Sequence, residues 1–507
     1  MMQTSGSHPP RLDLARRKRE ALLALVVVAL VTLSACGGSA LDPKTVAEAN
    51  AAARGTTNIN GSPTAVSTDA AGNPVATTKN VPGGSATVPG SNGGGSTPAS
   101  GGGAKAGGGG TTIVVGGGAA PATGKGIKPG SCTGFKNQTG ITDSTITLSN
   151  ASDISGPVPG IFTAAAQAAK AYAAYFDSTS TLCGRKISIE SLDSQTNGQA
   201  DDVAAQKACE TSFGEVGSMS AFDSGGAATT QRCGLPDLRA IQSNPERTAC
   251  TTCYAAQGAG NHEFETAMPD YMYAHYKAAT QKSAMLYVNE AASVGAAKAQ
   301  VAAETRRGWK FPYVSSFDIA EFNYAPYVEQ MKSKGIQLVQ MYGSSEMALR
   351  IAQAFQSSDF HPTIYMMAAT SYDKVYSAGG SAANGGIVPI DFTPIEDMAK
   401  NPELELYNTW LQQVAPGAQP TYFGLYAWSA TRLFIEQAVA LGGQLTRANI
   451  LKRIKAVHNW TSNGLHAAQD VGGKGTSKCW RMIQLHNGTW VPFGPTNYIC
   501  GSTVSSK

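Results

Sequence analysis

Cys250-Thr-Thr-Cys253 and Phe222-Asp-Ser-Gly-Gly226 are the short motifs in this 507-residue chain whose side chains could do chemistry. A CxxC pair can cycle between dithiol and disulfide, or supply half of a tetrahedral zinc site. No second CxxC and no flanking histidine pair accompanies this one, so a local structural disulfide is its expected use. An Asp-Ser-Gly-Gly run can present a serine nucleophile, but acyl transfer by a triad needs a histidine base. The first histidine after the N-terminal stretch is His262, and the serine sits where a strand gives way to a helix, not in an all-β barrel. The seven histidines show no HxH or HExxH spacing. Gly385-Gly386 and Gly472-Gly473 do not make a phosphate-cradling loop between a strand and a helix. The residues therefore predict no catalytic group, no metal and no cofactor, and the chain is not expected to be an enzyme.

One cysteine stands apart. Leu33-Ser34-Ala35-Cys36 follows the basic run Arg16-Arg17-Lys18-Arg19 and a short apolar stretch from Ala21 to Leu33. Crossing a bilayer takes about 20 apolar residues, so residues 1–35 read as a secretory signal. The placement of Cys36 resembles the lipobox of bacterial lipoproteins. That resemblance implies lipidation of Cys36 as the mature N-terminus, a lipid bilayer as a partner, and a lipid-anchored location on the extracytoplasmic face of the cell membrane. A plain signal peptide or a signal anchor is the other reading. In an oxidising compartment the remaining eight cysteines suggest disulfides. Near neighbours are the expected pairs: Cys132 with Cys183, Cys209 with Cys233, Cys250 with Cys253, and Cys479 with Cys500.

Between Gly37 and Lys128 there is no Phe, Tyr or Trp, and glycine runs such as Gly107 to Gly110 alternate with Ser, Thr, Pro and Ala. Such a stretch cannot bury enough apolar surface to offset the entropy of ordering it. Residues 36–130 are expected to be a disordered tether with a span of roughly 50 Å. The remaining segment, 131–500, is too long for one ordinary core and suggests two lobes. The net charge is +4, and the basic residues are not interleaved with aromatics, which argues against a nucleic-acid partner.

From Ile141 the pattern becomes regular. Thr145 to Asn150 alternates like a strand and runs into a turn at Asp153 to Pro157. Ala164 to Asp177 is helical by propensity. Lys186 to Leu192 is a strand, Asp201 to Phe213 a helix, Val216 to Phe222 a short strand and Gly225 to Cys233 a helix. The rhythm restarts after Glu263: a helix over Pro269 to Thr280, a strand over Ser283 to Asn289, and a long helix over Ala291 to Arg307. Val314 to Asp318 is extended, Asn323 to Lys334 helical, Ile336 to Tyr342 a strand, Ser345 to Gln356 a helix, and Thr363 to Met367 a strand. Leu404 to Val414 is helical, and the apolar density of Tyr422 to Leu441 suggests a buried helix. Cys479 to Leu485 and Thr489 to Pro492 form a hairpin around Asn487-Gly488. Strand and helix alternating in this way argue for parallel sheets flanked by helices.

The ordered series Gly140-Ile-Thr-Asp-Ser-Thr-Ile-Thr-Leu148, Asp153-Ile-Ser-Gly-Pro-Val158, Gly184-Arg-Lys-Ile-Ser188 and Asn244-Pro-Glu246, continued through Gly464 and the closing hairpin, resembles the type I periplasmic binding proteins. Within them it is similar to the leucine/isoleucine/valine-binding branch of ABC-transporter receptors. The resemblance implies an α/β fold of two Rossmann-like lobes with parallel sheets, joined by a three-crossover hinge. Lobe 1 would hold about 140–265 and 392–476, and lobe 2 about 266–391 and 477–500. The chain would cross near Phe264, Asp391 and Cys479. It also implies a monomer that captures a small polar or amphiphilic ligand, of amino acid, amide or organic acid type, for an ABC permease in the membrane. A ligand sensor signalling through a membrane partner is the alternative.

Open α/β sheets bind ligands beyond the carboxyl ends of their strands, which points to the same loops. The candidate ligand-binding residues are Ser155, Phe162, Ser220, Ala221, Phe222, Asp223 and Ser243 in the first lobe. In the second they are Asn289, Ser293, Tyr342, Ser344 and Thr370. Ser220 could instead cap a helix, Phe222 could belong to the core, and Tyr342 could face solvent at a strand end. Asp223 departs from the family pattern: near the expected carboxylate position it would repel an anion unless it pairs or faces away. Branched-chain amino acids are therefore not inferred as the ligand.

Overall fold

The computed structural model describes residues 128–242, 244–258 and 263–505. The signal peptide, Cys36, the tether up to residue 127, Ser243 and His262 lie outside the described residues.

The first lobe begins with strand β1 (Thr145–Ser152), helix α1 (Thr163–Thr179), β2 (Lys186–Asp193), α2 (Gly198–Thr211) and β3 (Gly214–Val216). It continues with α3 (Ala227–Arg232), β4 (Asp237–Ile241), α4 (Pro245–Ala249) and β5 (Cys253–Gln257). The five strands form one parallel sheet in the order β2-β1-β3-β4-β5. Helix α1 is alanine-rich, and small side chains let it seat closely, burying Ala165, Ala168, Tyr172 and Phe176 on one face. Asn197 caps α2, its side chain accepting from the backbone N–H groups of Gln199 at 2.8 Å and Ala200 at 3.1 Å.

Two sequence expectations shorten here. The strand expected over Val216 to Phe222 stops at Val216, because Gly217 takes φ +62 against helix 422–441, where a Cβ would meet Ala427 O at 2.9 Å. The helix expected over Gly225 to Cys233 covers Ala227–Arg232. Strand β4 ends at Ile241, ahead of Asn244-Pro-Glu246, and its Asp237 and Arg239 are buried in an ion network.

The second lobe runs β6 (Glu263–Glu265), α5 (Ala267–His275), α6 (Lys277–Thr280), β7 (Ser283–Val288), α7 (Ala291–Arg306), β8 (Tyr313–Phe317), α8 (Ala325–Ser333) and β9 (Leu338–Tyr342). Then follow α9 (Ser345–Ser357), β10 (Ile364–Met367), α10 (Lys374–Ser377) and β11 (Gly386–Ile390). The single helix expected over Pro269 to Thr280 is broken at Tyr276, whose φ of −131 leaves the helical range.

The chain then returns to the first sheet with α11 (Pro402–Val414), α12 (Tyr422–Leu441) and α13 (Arg447–Lys455). Helix α12 is buried from Phe423 to Ala438, and its Arg432 is buried in ion pairs with Glu403 and Glu436. Its Trp428 meets Tyr172 of α1 edge-on at 4.9 Å. The chain finally rejoins the second sheet with β12 (Cys479–His486), β13 (Thr489–Phe493), β14 (Ile499–Cys500) and β15 (Thr503–Ser505). That sheet has the order β13-β12-β11-β10-β9-β7-β8, with β12 antiparallel to its neighbours β11 and β13. Asn487 and Gly488, at φ 49 and 80, make the turn between β12 and β13.

The chain leaves the first sheet after Gly258, returns at Asp391-Phe392, and crosses again between Thr476 and Cys479. Gly258 pairs with Thr476 in a parallel bridge. A Cβ at Gly258 would lie 2.3 Å from Gly475 O, so the first and third crossings touch through bare backbone. The eight cysteines stand in four disulfides, Cys132–Cys183, Cys209–Cys233, Cys250–Cys253 and Cys479–Cys500.

Candidate functional site

A cavity of about 270 Å³ opens between the two sheets, near the lower end of the roughly 300–1,000 Å³ typical of ligand sites. The first lobe contributes Ile161 and Phe162 from the loop after β1, Ala221 from the loop after β3, Gln257 from the end of β5, and Phe423 from the first turn of α12. Phe162 and Phe423 meet edge-to-face at 4.5 Å, so one wall is a fixed aromatic corner. The second lobe contributes the strand-end loops at Glu290, Ser293, Tyr342, Ser344 and Thr370.

The cavity also extends beneath α7. Ala292, Ala296, Gln300 and Glu304 line it at four-residue spacing, so they share one side of the helix. At a rise of 1.5 Å per residue this stripe is about 18 Å long. Gln340 of β9, Met366 of β10, Met268 of α5 and Glu265 of β6 complete the inner end. Met219, Met341, Met347 and Met367 join Met268 and Met366 in the lining, giving a soft, adaptable apolar surface.

The electrostatics are one-sided. Among the described residues three carboxyls, Glu265, Glu290 and Glu304, line this cavity, and no Lys, Arg or His does. The rim adds Glu346 and Asp373. Gln300 and Gln340 each donate to Glu304 Oε1 at 2.8 Å, and the Tyr342 hydroxyl donates to Gln300 Oε1 at 2.6 Å. Glu265 accepts the Met268 N–H at 3.0 Å. Burial pushes both Glu265 and Glu304 up to about 8, against the pull of these donors, which favours their neutral forms. Glu290 caps α7, accepting from Ser293 N at 2.6 Å and Ala292 N at 2.9 Å, and burial raises its pKa.

Of the residues expected from the sequence, Phe162, Ala221, Ser293, Tyr342, Ser344 and Thr370 line the cavity. Ser344 caps α9 through Met347 N at 3.4 Å, and the Thr370 hydroxyl donates to Gly343 O at 2.7 Å. Five others do not line it. Ser155 is exposed and donates to Asp193 Oδ2 at 2.6 Å. Ser220 is buried and turned back to accept from Phe222 N at 3.2 Å. Phe222 packs on the core of its lobe. Asn289 is exposed at the end of β7, one position before the residue that does reach the cavity, Glu290.

Asp223 faces away from the ligand space. It is fully buried, accepts from Asn244 Nδ2 at 2.7 Å and lies 4.0 Å from Arg239 Nε. Arg239 also pairs with Glu215 at 2.9 Å, and Arg247 with Asp201 at 3.0 Å and Asp237 at 3.1 Å. Two guanidinium groups thus hold four carboxylates inside the first lobe, and the anomaly at Asp223 is structural.

Sequence reasoning missed Glu265, Gln300, Glu304 and Gln340. The available signal was polarity: Gln300 and Glu304 fall on the buried side of an alanine-rich helix, where an uncompensated polar group is costly.

Residues 145–489 match the family model described as Periplasmic binding protein. Among curated proteins, none matches the sequence significantly. Of solved structures, a fatty acid ABC transporter substrate-binding protein from Thermomonospora curvata is 13% identical, with a TM-score of 0.62 over 73% of this chain and 95% of its own. A possible leucine/isoleucine/valine-binding protein from Rhodopirellula baltica is 11% identical, with a TM-score of 0.61 over 71% and 98%. An ABC-transporter solute-binding protein from R. palustris in complex with benzoate is 14% identical, with a TM-score of 0.59 over 71% and 98%. The family match spans well over half of the sequence, so the chain belongs to the periplasmic binding proteins, which bind solutes for ABC transporters and are not enzymes.

Proposed function

We propose that this chain is the lipid-anchored solute receptor of an ABC importer, which closes two lobes around a small amphiphilic ligand and presents it to a membrane permease. One observation carries the reading: the cavity takes walls from both lobes, while the chain connects those lobes through three adjacent segments. Such an arrangement suits hinge closure, in which ligand contacts to both lobes favour the closed state over the open one. Within the range of amino acids, amides and organic acids, the methionine and aromatic lining favours ligands with an apolar body. Phe162, Ala221, Ser293, Tyr342, Ser344 and Thr370 are the proposed contacts at the cleft, and Cys36 is the proposed anchor.

Trp480 lines the cavity and gives the test its readout. A thermal-shift screen over amino acids, amides, alkyl amines and organic acids should find a ligand that stabilises the protein by about 2.7 kcal/mol at 100 times its Kd. The same ligand should change tryptophan emission in the wild type and not in Trp480→Phe. A ligand that stabilises the protein without touching the Trp480 signal binds elsewhere, and the reading fails.

A further inference from the structure

The inner end of the cavity holds two buried polar atoms that the protein leaves unpaired. Glu304 is 1% exposed and Gln340 2% exposed, and both line the cavity. The two Nε2 donors of Gln300 and Gln340 converge on a single oxygen, Glu304 Oε1. Glu304 Oε2 and Gln340 Oε1 have no hydrogen-bond partner. Buried polar atoms in folded proteins are nearly always satisfied, so two orphans beside a ligand cavity mark where a ligand group belongs. Glu304 Oε2 can accept or, when protonated, donate; Gln340 Oε1 can only accept. A shared partner must therefore be a donor.

Charge narrows the class further. Among the described residues the lining and rim carry five carboxyls and no basic side chain, in a chain whose net charge is +4. A carboxylate head would enter a site with no cation to pair with it. A buried anion without a partner is strongly disfavoured, whereas a cation beside Glu304 would make a hydrogen-bonded pair. The stripe leading inward is about 18 Å long, and its volume is modest, so the body of the ligand must be slender.

Resting on the receptor reading above, the geometry points to a slender, otherwise apolar ligand whose protonated primary amine is held at the inner end of the cavity by Glu304 and Gln340. Among the described residues, the titratable groups that face Glu304 are Glu265 from β6 and Tyr342 from β9, and neither is a cation. When the ammonium binds below pH 8, the Glu304 carboxylic acid releases its proton to solvent and the carboxylate pairs with the ammonium. One cation enters and one proton leaves, so the charge of the site is unchanged.

Isothermal titration of the full-length protein with hexylamine, hexanamide and hexanoate separates the head groups on one apolar body. The amine should bind at least tenfold more tightly than the other two, with affinity rising up to about tenfold per pH unit between pH 6 and 8. Buffers of different ionisation enthalpy should report release of about one proton. Glu304→Gln should lose the amine preference and the pH slope, and Gln340→Met should weaken the amine while keeping the slope. Tightest binding by hexanoate, with affinity falling as pH rises, or by hexanamide with no pH slope, overturns the amine assignment and leaves the receptor reading intact. Failure of all three to bind, together with no hit in the wider screen, overturns both.

Discussion

Gln257 donates its side-chain amide to both carboxylate oxygens of Asp391, at 2.8 and 2.9 Å. Tyr426 and Gln469 each add a bond to the same carboxylate at 2.8 Å, and Tyr422 donates back to Gln257 Oε1. Gln257 ends β5 at the first crossing, Asp391 sits at the second, and Gln469 lies shortly before the third. Gln257 and Tyr422 also line the cavity, so the ligand wall and the hinge share one polar node.

Among the described residues no cation pairs with that node. Burial raises the Asp391 pKa, and the donors from Gln257, Tyr426 and Gln469 oppose it. Asp391→Leu would strand those donors in the interior. Each unsatisfied buried group costs about 1–3 kcal/mol, so a loss of at least ~2 kcal/mol is expected in chemical denaturation. Unchanged stability would show that the donors find water instead.

The ion network of the first lobe should be intolerant of losing its cation. Arg239→Met leaves Glu215, Asp223 and Asp237 with less compensation, and breaking a buried pair typically costs about 3–5 kcal/mol. Asp223→Asn, by contrast, should leave ligand affinity within about twofold, because Asp223 does not line the cavity. A large affinity change in that variant would return Asp223 to the binding site.

Glu304 should impose a pH dependence on folding. Its folded pKa, about 8, lies above its unfolded value, so its contribution is fully present below the unfolded pKa and is lost as pH rises toward 8. Relative to Glu304→Gln, the wild type should lose up to about 1.4 kcal/mol per pH unit between pH 5 and 8. Urea unfolding of both proteins across that range checks it. Parallel pH profiles would mean that Glu304 is ionised and solvated in the folded state.

The disulfides should differ in weight. Cys132–Cys183 spans 51 residues, and its removal by a double serine substitution should cost about 4 kcal/mol. Cys250–Cys253 spans 3, and its removal should cost under ~2 kcal/mol by the same chain-entropy reasoning. Thermal unfolding of the two double variants gives the comparison.

Much of this architecture was legible in the order of the elements. The strand–helix rhythm and the rule that ligands sit at strand carboxyl ends point to Ser293, Tyr342, Ser344 and Thr370, which line the cavity, because loop position follows from topology alone. Which side chain of a loop turns inward does not follow. Asn289 and Glu290 are adjacent, and the helix start at Ala291 decides that Glu290 caps inward while Asn289 is exposed. Asp223 read as a ligand-side anion because its partners Arg239 and Asn244 come from a later stretch of the chain and meet it only in the folded lobe. The inner end of the cavity was invisible for a related reason. Glu265, Glu304 and Gln340 come from three separate elements, and their convergence is a product of tertiary packing.

Closure of the two lobes on a ligand in the shared cavity is the central claim, and small-angle scattering of the protein with and without saturating ligand tests it most directly. The account predicts a smaller radius of gyration in the bound state, with the shift reduced in a Phe162→Ala variant. An unchanged radius of gyration at full occupancy would contradict hinge closure.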